Sequence, residues 1–261
     1  MTKPLIIADG VLPEARAFHD AREALVDWPE IVLFSHVANF VGEEVPADAV
    51  IYNLEPLYEG CQSFSLGYRD LLRRHPVLDY QARNVEYLRS LGIEAVHMPY
   101  GYHPSMWRPA HAVKDIDVLF FGSLLSDRRK RILDELAVAG VKVTAATDCY
   151  GADLDKMVAR SKIVLNIHRM DHLPLEVVRL NYLLANGAFV ISERGWDESD
   201  NVTYSPGLVY AAPDDVVPAC RYFLKNTDIC DGIAAKGQHI IRNMPQSRFI
   251  KQARAALGVY A

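Results

Sequence analysis

The feature that most constrains the fold is a regular alternation of short apolar runs and helical patterns that begins at Asp115. Such alternation is typical of βαβ units, whose strands form a parallel sheet covered by helices. Strands buried on both faces are rich in Val, Ile, Leu and Phe, and the runs have this composition. The pattern predicts five strands, at Asp117–Phe121, Val141–Ala145, Lys162–Ile167, Ala188–Ser192 and Leu208–Tyr210.

Helical patterns fill the gaps between these strands. Asp127–Ala139 is followed by Gly140, and Leu175–Asn186 is followed by Gly187. Glycine is favoured just past a helix because the residue there often has a positive φ. The pattern of the tail after Asp214 predicts helix throughout.

The N-terminal half is less regular but carries similar apolar runs and one clear helical pattern, Gln81–Ser90. Its candidate strands are Leu5–Ala8, Ile31–Phe34, Val50–Asn53 and Ala95–Met98. Gly101–Lys114 contains two prolines and shows no periodicity, which is typical of a linker.

We therefore expect an α/β protein of two Rossmann-like domains with parallel sheets and a helical C-terminal tail. The expected domains are residues 1–104 and 115–245. Residues 246–261 should form a helix with Phe249, Ile250, Ala253 and Leu257 on one face. We expect this helix to pack back on the N-terminal domain, with at most peripheral membrane contact as the alternative.

Composition narrows the possible partners and location. The net charge of -5 argues against a broad surface that binds nucleic acid. The four cysteines are scattered and show no zinc-type spacing, so we expect a reducing compartment and no structural metal. We also expect no cofactor. The N-terminus lacks a signal-peptide pattern, which predicts a cytoplasmic protein.

The first strand of the C-terminal half ends in Gly122 and Ser123, and a basic cluster that includes Arg128 and Arg129 opens the next helix. Ligands of open parallel sheets bind beyond the carboxyl ends of the strands, where a helix N-terminus favours an anion. Basic residues in a first helical turn oppose the helix dipole, so an anionic ligand would compensate them. A solvated helix face is the alternative interpretation.

Polar residues also follow the third strand of this half. Asn166 and His168 lie at its end, and Glu176 and Arg179 begin the following helix. They are candidates for a ligand site, although Glu176 and Arg179 could simply form a local ion pair. A metal site at His168 and His172 is disfavoured because no helix frames them. The sequence has no Walker A loop, no GxGxxG turn and no GxSxG turn.

Three segments of the C-terminal half resemble the nucleotide-sugar-binding half of GT-B glycosyltransferases, especially the group 1 and spore-maturation types. They are Lys162–Ile167, then Glu176 with Leu184–Ser192, then Gly207–Asp215. The resemblance implies a glycosyltransferase that moves a sugar from a nucleotide-sugar donor to a saccharide or lipid-linked acceptor, without metal. It further implies a role in bacterial surface polysaccharide synthesis.

The resemblance also implies site residues. Gly122 and Ser123 would face the diphosphate, beside Arg128 or Arg129. The donor-binding set implied by the family pattern is Gly122, Ser123, Arg128, Arg129, Asn166, Arg179 and Asn181. The candidate catalytic residues are Glu55, His168 and Glu176. Glu55 ranks first as general base because it follows a strand, with Asp79, His36 and His103 as alternatives.

One departure from the family keeps alternatives open. The retaining branch carries two glutamates, and Pro174 and Tyr182 occupy those positions here. The stereochemistry is therefore undetermined. A non-catalytic nucleotide-sugar-binding or scaffolding protein, or a nucleotide-sugar epimerase, is the alternative function.

Overall fold

In a computed structural model of the chain, the structure describes residues 5–8, 25, 28, 31–35, 45–61, 64–108, 112–171 and 173–258. Contacts within the chain divide it into two compact units. Unit 1 is Met1–Ser105 with Met244–Ala261, and unit 2 is Met106–Asn243. Each unit contains a five-stranded parallel sheet, which confirms the predicted α/β class.

The sheet of unit 1 follows the order of the chain, β1-β2-β3-β4-β5. Its strands are β1 (Leu5–Ala8), β2 (Ile31–Ser35), β3 (Val50–Asn53), β4 (Val77–Asp79) and β5 (Ala95–His97). Two described helices lie in the first stretch of this unit, α1 (Leu66–Leu72) and α2 (Ala82–Ser90).

Strand β4 was not among the predicted strands. The residues Leu78 to Tyr80 directly precede the predicted helix Gln81–Ser90, and Leu78 and Asp79 pair with β3. A strand of three residues is too short to show a periodicity of its own, so its apolar residues resembled the approach to α2.

The sheet of unit 2 has the order β10-β9-β8-β6-β7. Its strands are β6 (Ile116–Phe121), β7 (Val143–Ala146), β8 (Ser161–Asn166), β9 (Val190–Ser192) and β10 (Val209–Tyr210). All five were predicted, with ends that differ by one or two residues. The chain passes from β6 to β7 on one side and then returns to place β8 on the other side. The order therefore reverses between β6 and β8, and such a reversal opens a crevice at the carboxyl ends of the strands.

Six helices of unit 2 cover this sheet or extend from it. They are α3 (Asp127–Val138), α4 (Gly151–Ala159), α5 (Val177–Ala185), α6 (Glu198–Tyr204), α7 (Val216–Lys225) and α8 (Thr227–Arg242). Ile132 and Leu136 of α3 are fully buried and pack with Phe120 and Leu165 of the sheet. Each such side chain contributes about 1.5–3 kcal/mol through burial, so this core holds the strand ends in place.

The last helix, α9 (Gln246–Ala256), belongs to unit 1. Tyr102 N–H donates to the Met244 carbonyl at 2.7 Å, and the Gln246 side chain accepts from Gly101 N–H at 2.6 Å. The apolar face of α9 is buried, with Phe249 7% exposed. Across the described residues, no helix is both long and apolar enough to cross a membrane.

Candidate functional site

Two loops lie at the carboxyl ends of β6 and β8, on either side of the reversal in strand order. Ser126 connects them. Its hydroxyl donates to the Arg169 carbonyl at 2.7 Å and accepts from Arg129 N–H, so it also caps the N-terminus of α3. A serine cap satisfies a backbone donor that a helix otherwise leaves unpaired.

Gly122 begins the first loop with φ of +130°, a conformation that residues with a side chain rarely adopt. A Cβ atom at this position would lie 3.3 Å from Arg179 Nη2 and 3.7 Å from Arg129 Nη1. Glycine therefore allows two guanidinium groups to approach the backbone at the end of β6.

Arg129 is buried, and backbone carbonyls hold its guanidinium. Nε donates to the Ile167 carbonyl at 2.9 Å and Nη1 donates to the Ser123 carbonyl at 3.2 Å. Nη2 lies 3.4 Å from Glu176 Oε1. Burial lowers the pKa of Arg129 to about 10, so the group is still charged at neutral pH and requires an anion nearby.

Arg179 lies on the first turn of α5, and its guanidinium is also close to Gly122. Its Nε is 3.0 Å from Glu176 Oε2, and its Nη1 donates to the Phe121 carbonyl at 3.1 Å. The guanidinium also stacks over the Phe121 ring at 4.6 Å. One carboxylate thus serves two guanidinium groups, which leaves an excess positive charge beside the glycine turn.

Arg128, the neighbour of Arg129, has different partners. Its Nη1 donates to Glu193 Oε2 at 2.6 Å, Nη2 also pairs with Glu193, and Nε donates to Asp171 at 2.7 Å. Hydrogen bonding to Glu193 raises the pKa of Arg128. Arg128 therefore pairs with Glu193 and Asp171, whereas Arg129 and Arg179 share Glu176.

Glu193 was not among the residues predicted from the sequence. It directly follows β9, is 6% exposed, and accepts from His168 N–H at 2.8 Å as well as from Arg128. Asn166 was predicted as a site residue because it lies at the end of a strand. The same signal, applied to the strand that ends at Ser192, would have identified Glu193.

Asn166 and His168 are both buried at the end of β8. Asn166 Nδ2 donates to the Ser192 hydroxyl at 2.9 Å, and His168 Nε2 lies 3.1 Å from the Arg194 carbonyl. His168 Nδ1 has no hydrogen-bond partner among the described residues and is 4.0 Å from Glu176 Oε1. His168 therefore joins the cluster of Arg129, Glu176 and Arg179.

Asn181 and Tyr182 face other elements. Asn181 is fully buried and accepts from the Tyr204 hydroxyl at 2.6 Å, and the Tyr182 hydroxyl donates to Asp155 of α4 at 2.7 Å. The structure does not bring Asn181 to the arginine pair.

In unit 1, a buried polar network joins the ends of β3 and β4. Asp79 accepts from Asn53 Nδ2 at 2.7 Å, from Asn84 Nδ2 at 3.0 Å and from Gln81 N–H at 2.8 Å. Burial raises the pKa of Asp79 to about 8, against these three hydrogen bonds, which lower it. The three hydrogen bonds fix the position of the Asp79 side chain and give it a structural role.

Glu55 lies in the loop after β3 and is 8% exposed. Its backbone carbonyl accepts from the amides of Asn53 and Asn84, so the network fixes the position of this residue. Among the alternative bases, His103 contacts the Ser105 hydroxyl at 2.8 Å, and His36 lies outside the described residues. The part of the chain that the structure describes contains no group of three or more His, Cys, Asp or Glu side chains suited to a metal ion.

Two five-stranded parallel sheets, each in its own unit and covered by helices, are the fold of the GT-B class of glycosyltransferases. The sequence profile of the glycosyl transferase-like family matches residues 105–254, and the chain belongs to this family. The predicted resemblance to GT-B glycosyltransferases is confirmed.

Solved structures with low identity share this fold. HepE of Anabaena, solved with UDP and glucose, has a TM-score of 0.68 at 12% identity and covers 100% of both chains. A TarM mutant of S. aureus, solved with fondaparinux, α-GlcNAc-glycerol and UDP, has a TM-score of 0.60 at 9% identity, over 85% of this chain and 54% of that one. AviGT4, a glycosyltransferase involved in avilamycin A biosynthesis, has a TM-score of 0.54 at 14% identity, over 99% and 97%.

A curated relative is an uncharacterised protein of Acanthamoeba polyphaga mimivirus. It is 24% identical over 192 residues, which are 70% of this chain and 62% of the relative. The chain thus spans less than two thirds of the length of that relative.

Proposed function

We propose that the protein transfers a sugar from a nucleotide-sugar donor to a saccharide or lipid-linked acceptor. The observation that carries the proposal is the pair of guanidinium groups, Arg129 and Arg179, that flank Gly122 at the reversal in the sheet of unit 2. A diphosphate is an anion with several acceptor oxygens, and paired arginines bind such groups with charge-assisted hydrogen bonds.

The same groups would support the chemistry. In the transfer, an acceptor hydroxyl attacks the anomeric carbon while the bond from that carbon to the diphosphate oxygen breaks. Negative charge then develops on the leaving nucleoside diphosphate, and fixed positive groups stabilise it. We propose that Arg129 and Arg179 supply this charge, and that the reaction proceeds without a metal ion.

The proton of the acceptor hydroxyl passes to a base or to the departing phosphate. We propose Glu55 as the base, since its backbone is fixed by the network around Asp79. The proposed acceptor class and the role in bacterial surface polysaccharide synthesis rest on the resemblance to spore-maturation-type enzymes.

The test is an assay for nucleotide release in the presence of EDTA, with a panel of nucleotide-sugars and simple saccharide acceptors. Arg179→Ala should lower both nucleotide affinity and turnover, by about tenfold or more for each charge-assisted bond lost. Arg131→Ala removes the same charge from an exposed pair with Glu135 on α3 and should leave both unchanged. Full turnover by a folded Arg179→Ala variant would contradict the proposal.

One observation favours a second function, nucleotide-sugar binding without turnover. Tyr182, which stands where the retaining branch of the family has a glutamate, donates its hydroxyl to Asp155. A protein of this kind would bind donor tightly but release no nucleotide in the same assay, with or without acceptor.

A further inference from the structure

The carboxylate of Glu176 lies in the position where the proposed function places the donor diphosphate. Its two oxygens contact Arg129 Nη2 at 3.4 Å and Arg179 Nε at 3.0 Å. The Glu176 side chain is 25% exposed, whereas those of Arg129 and Arg179 are 6% and 20% exposed. The carboxylate therefore belongs to the most exposed of the three side chains.

The arginines are held in place independently of Glu176. Arg129 donates to the carbonyls of Ile167 and Ser123, and Arg179 donates to the Phe121 carbonyl and stacks on its ring. These contacts use backbone groups at the ends of β6 and β8, which the core of the sheet fixes.

The Glu176 side chain has no comparable anchor. It occupies the N-cap position of α5 but makes no side-chain hydrogen bond to the backbone there. Its polar contacts among the described residues are the two arginines and the more distant His168. The carboxylate can therefore leave the arginines without breaking a helix cap.

A buried guanidinium without an anion is strongly unfavourable, which requires that one anion replace another. We propose that Glu176 is a resident anion that occupies the diphosphate position in the ligand-free protein and is displaced when a nucleoside diphosphate binds. This inference rests on the proposed function. It assigns Glu176 a competing role, in contrast to the catalytic or donor-binding role that the sequence suggested.

His168 provides an independent sign that a ligand completes this cluster. A backbone carbonyl only accepts, so the contact of Nε2 with the Arg194 carbonyl places a proton on Nε2. In the neutral ring, Nδ1 then carries a lone pair. This atom is buried and has no partner within the described part of the chain. Once Glu176 has moved away, Nδ1 can accept a hydrogen bond from a hydroxyl of the donor.

The two possible roles of Glu176 predict opposite effects of Glu176→Gln on the affinity for a diphosphate. If the carboxylate contacts the donor, Glu176→Gln weakens binding. If it competes with the diphosphate, the same substitution tightens binding, because the neutral amide holds the arginines less strongly. We expect the Kd for inorganic pyrophosphate, measured by calorimetry in EDTA, to fall about tenfold, which corresponds to about 1.4 kcal/mol.

The control is Glu135→Gln, which removes the same charge from an exposed pair on α3 and should leave the Kd unchanged. Thermal melting establishes that each variant is folded. Glu176→Ser, which supplies a common N-cap residue, repeats the test with a different side chain and should also tighten binding.

UDP binding separates this inference from the proposed function. One outcome is that the wild type binds UDP, with Arg179→Ala weakening UDP binding, while neither Glu176 variant binds pyrophosphate more tightly than the wild type. In that case the resident-anion proposal is wrong and the proposed function stands. If neither the wild type nor the Glu176 variants bind UDP or pyrophosphate, both are wrong.

Discussion

Arg128 and Arg129 are adjacent in the chain, but their side chains have different partners. Arg129 contacts backbone carbonyls and Glu176, while Arg128 pairs with the buried carboxylate of Glu193. Removal of one partner from a buried pair leaves an uncompensated charge, which is more costly than the loss of a surface pair. The two arginines should therefore respond differently to substitution.

We expect Arg128→Ala to lower the free energy of unfolding by about 3–5 kcal/mol, because Glu193 would remain buried without its partner. Urea denaturation measures this change. Arg131→Ala, on the exposed face of α3, should cost under about 1 kcal/mol. Equal effects of the two substitutions would show that the Arg128–Glu193 pair is not important for stability.

Gly122→Ala should destabilise the protein by about 1–3 kcal/mol, because an alanine at φ of +130° is strained and its Cβ would press on Arg179. It should also weaken nucleotide binding through the displacement of that guanidinium. Gly232→Ala is a suitable control, since its Cβ would meet nothing within 4 Å. A Gly122→Ala variant as stable as the wild type would contradict the strain argument.

The sequence identified strand ends well but not the direction of each side chain. Gly122 and Arg129 follow β6, whereas Glu176 and Arg179 follow β8. The sequence placed each group beyond the end of a strand, and the pairing of β6 with β8 in the structure brings the two groups together. The separate position of Arg128 depends on Glu193, a residue distant in sequence. Asn181 faces Tyr204 because of the rotation of α5 about its axis, which periodicity alone does not fix.

At the level of elements, strands β3 and β4 are joined at their ends by the buried carboxylate of Asp79. Its pKa is raised from 3.8 to about 8, so the folded state binds the proton more tightly than the unfolded chain. The stability that this proton contributes is fully present below pH 3.8 and is lost as the pH rises to about 8.

We expect the free energy of unfolding of the wild type to fall, relative to Asp79→Asn, by about 1.4 kcal/mol per pH unit between these limits. Urea denaturation at a series of pH values measures the slope. Asp70→Asn changes an exposed carboxylate of α1 and should retain the slope of the wild type. The opposite slope would show that the hydrogen bonds from Asn53, Gln81 and Asn84 outweigh burial.

A second prediction at the level of elements concerns Gly101, against which α9 packs closely. A Cβ on Gly101 would lie 2.6 Å from the Met244 carbonyl oxygen and 2.8 Å from the Phe249 ring. Gly101→Ala should therefore separate α9 from this segment and cost about 1–3 kcal/mol. Gly232→Ala, in the open interior of α8, should instead stabilise the protein by about 0.5–1 kcal/mol. Thermal melting of the two variants should show shifts of opposite sign.

At the level of the whole molecule, the repeating pattern of unit 2 allowed its fold to be predicted from the sequence. Five apolar runs separated by helices predict a parallel sheet, and the five strands are present. Unit 1 was less readable because its regularity is weaker and β4 has three residues. The order of strands in each sheet is a tertiary property that the spacing of apolar runs does not encode.

Unit 1 is built from two stretches of chain, Met1–Ser105 and Met244–Ala261, with the whole of unit 2 between them. As the chain grows from its N-terminus, the first stretch of unit 1 is made long before Phe249 and its neighbours. The synthesis of unit 2 takes roughly 7–28 seconds at the usual rate, and during this time the docking site for α9 keeps its apolar surface exposed. The same arrangement implies that a permuted chain starting near residue 244 would make unit 1 contiguous and remove this delay.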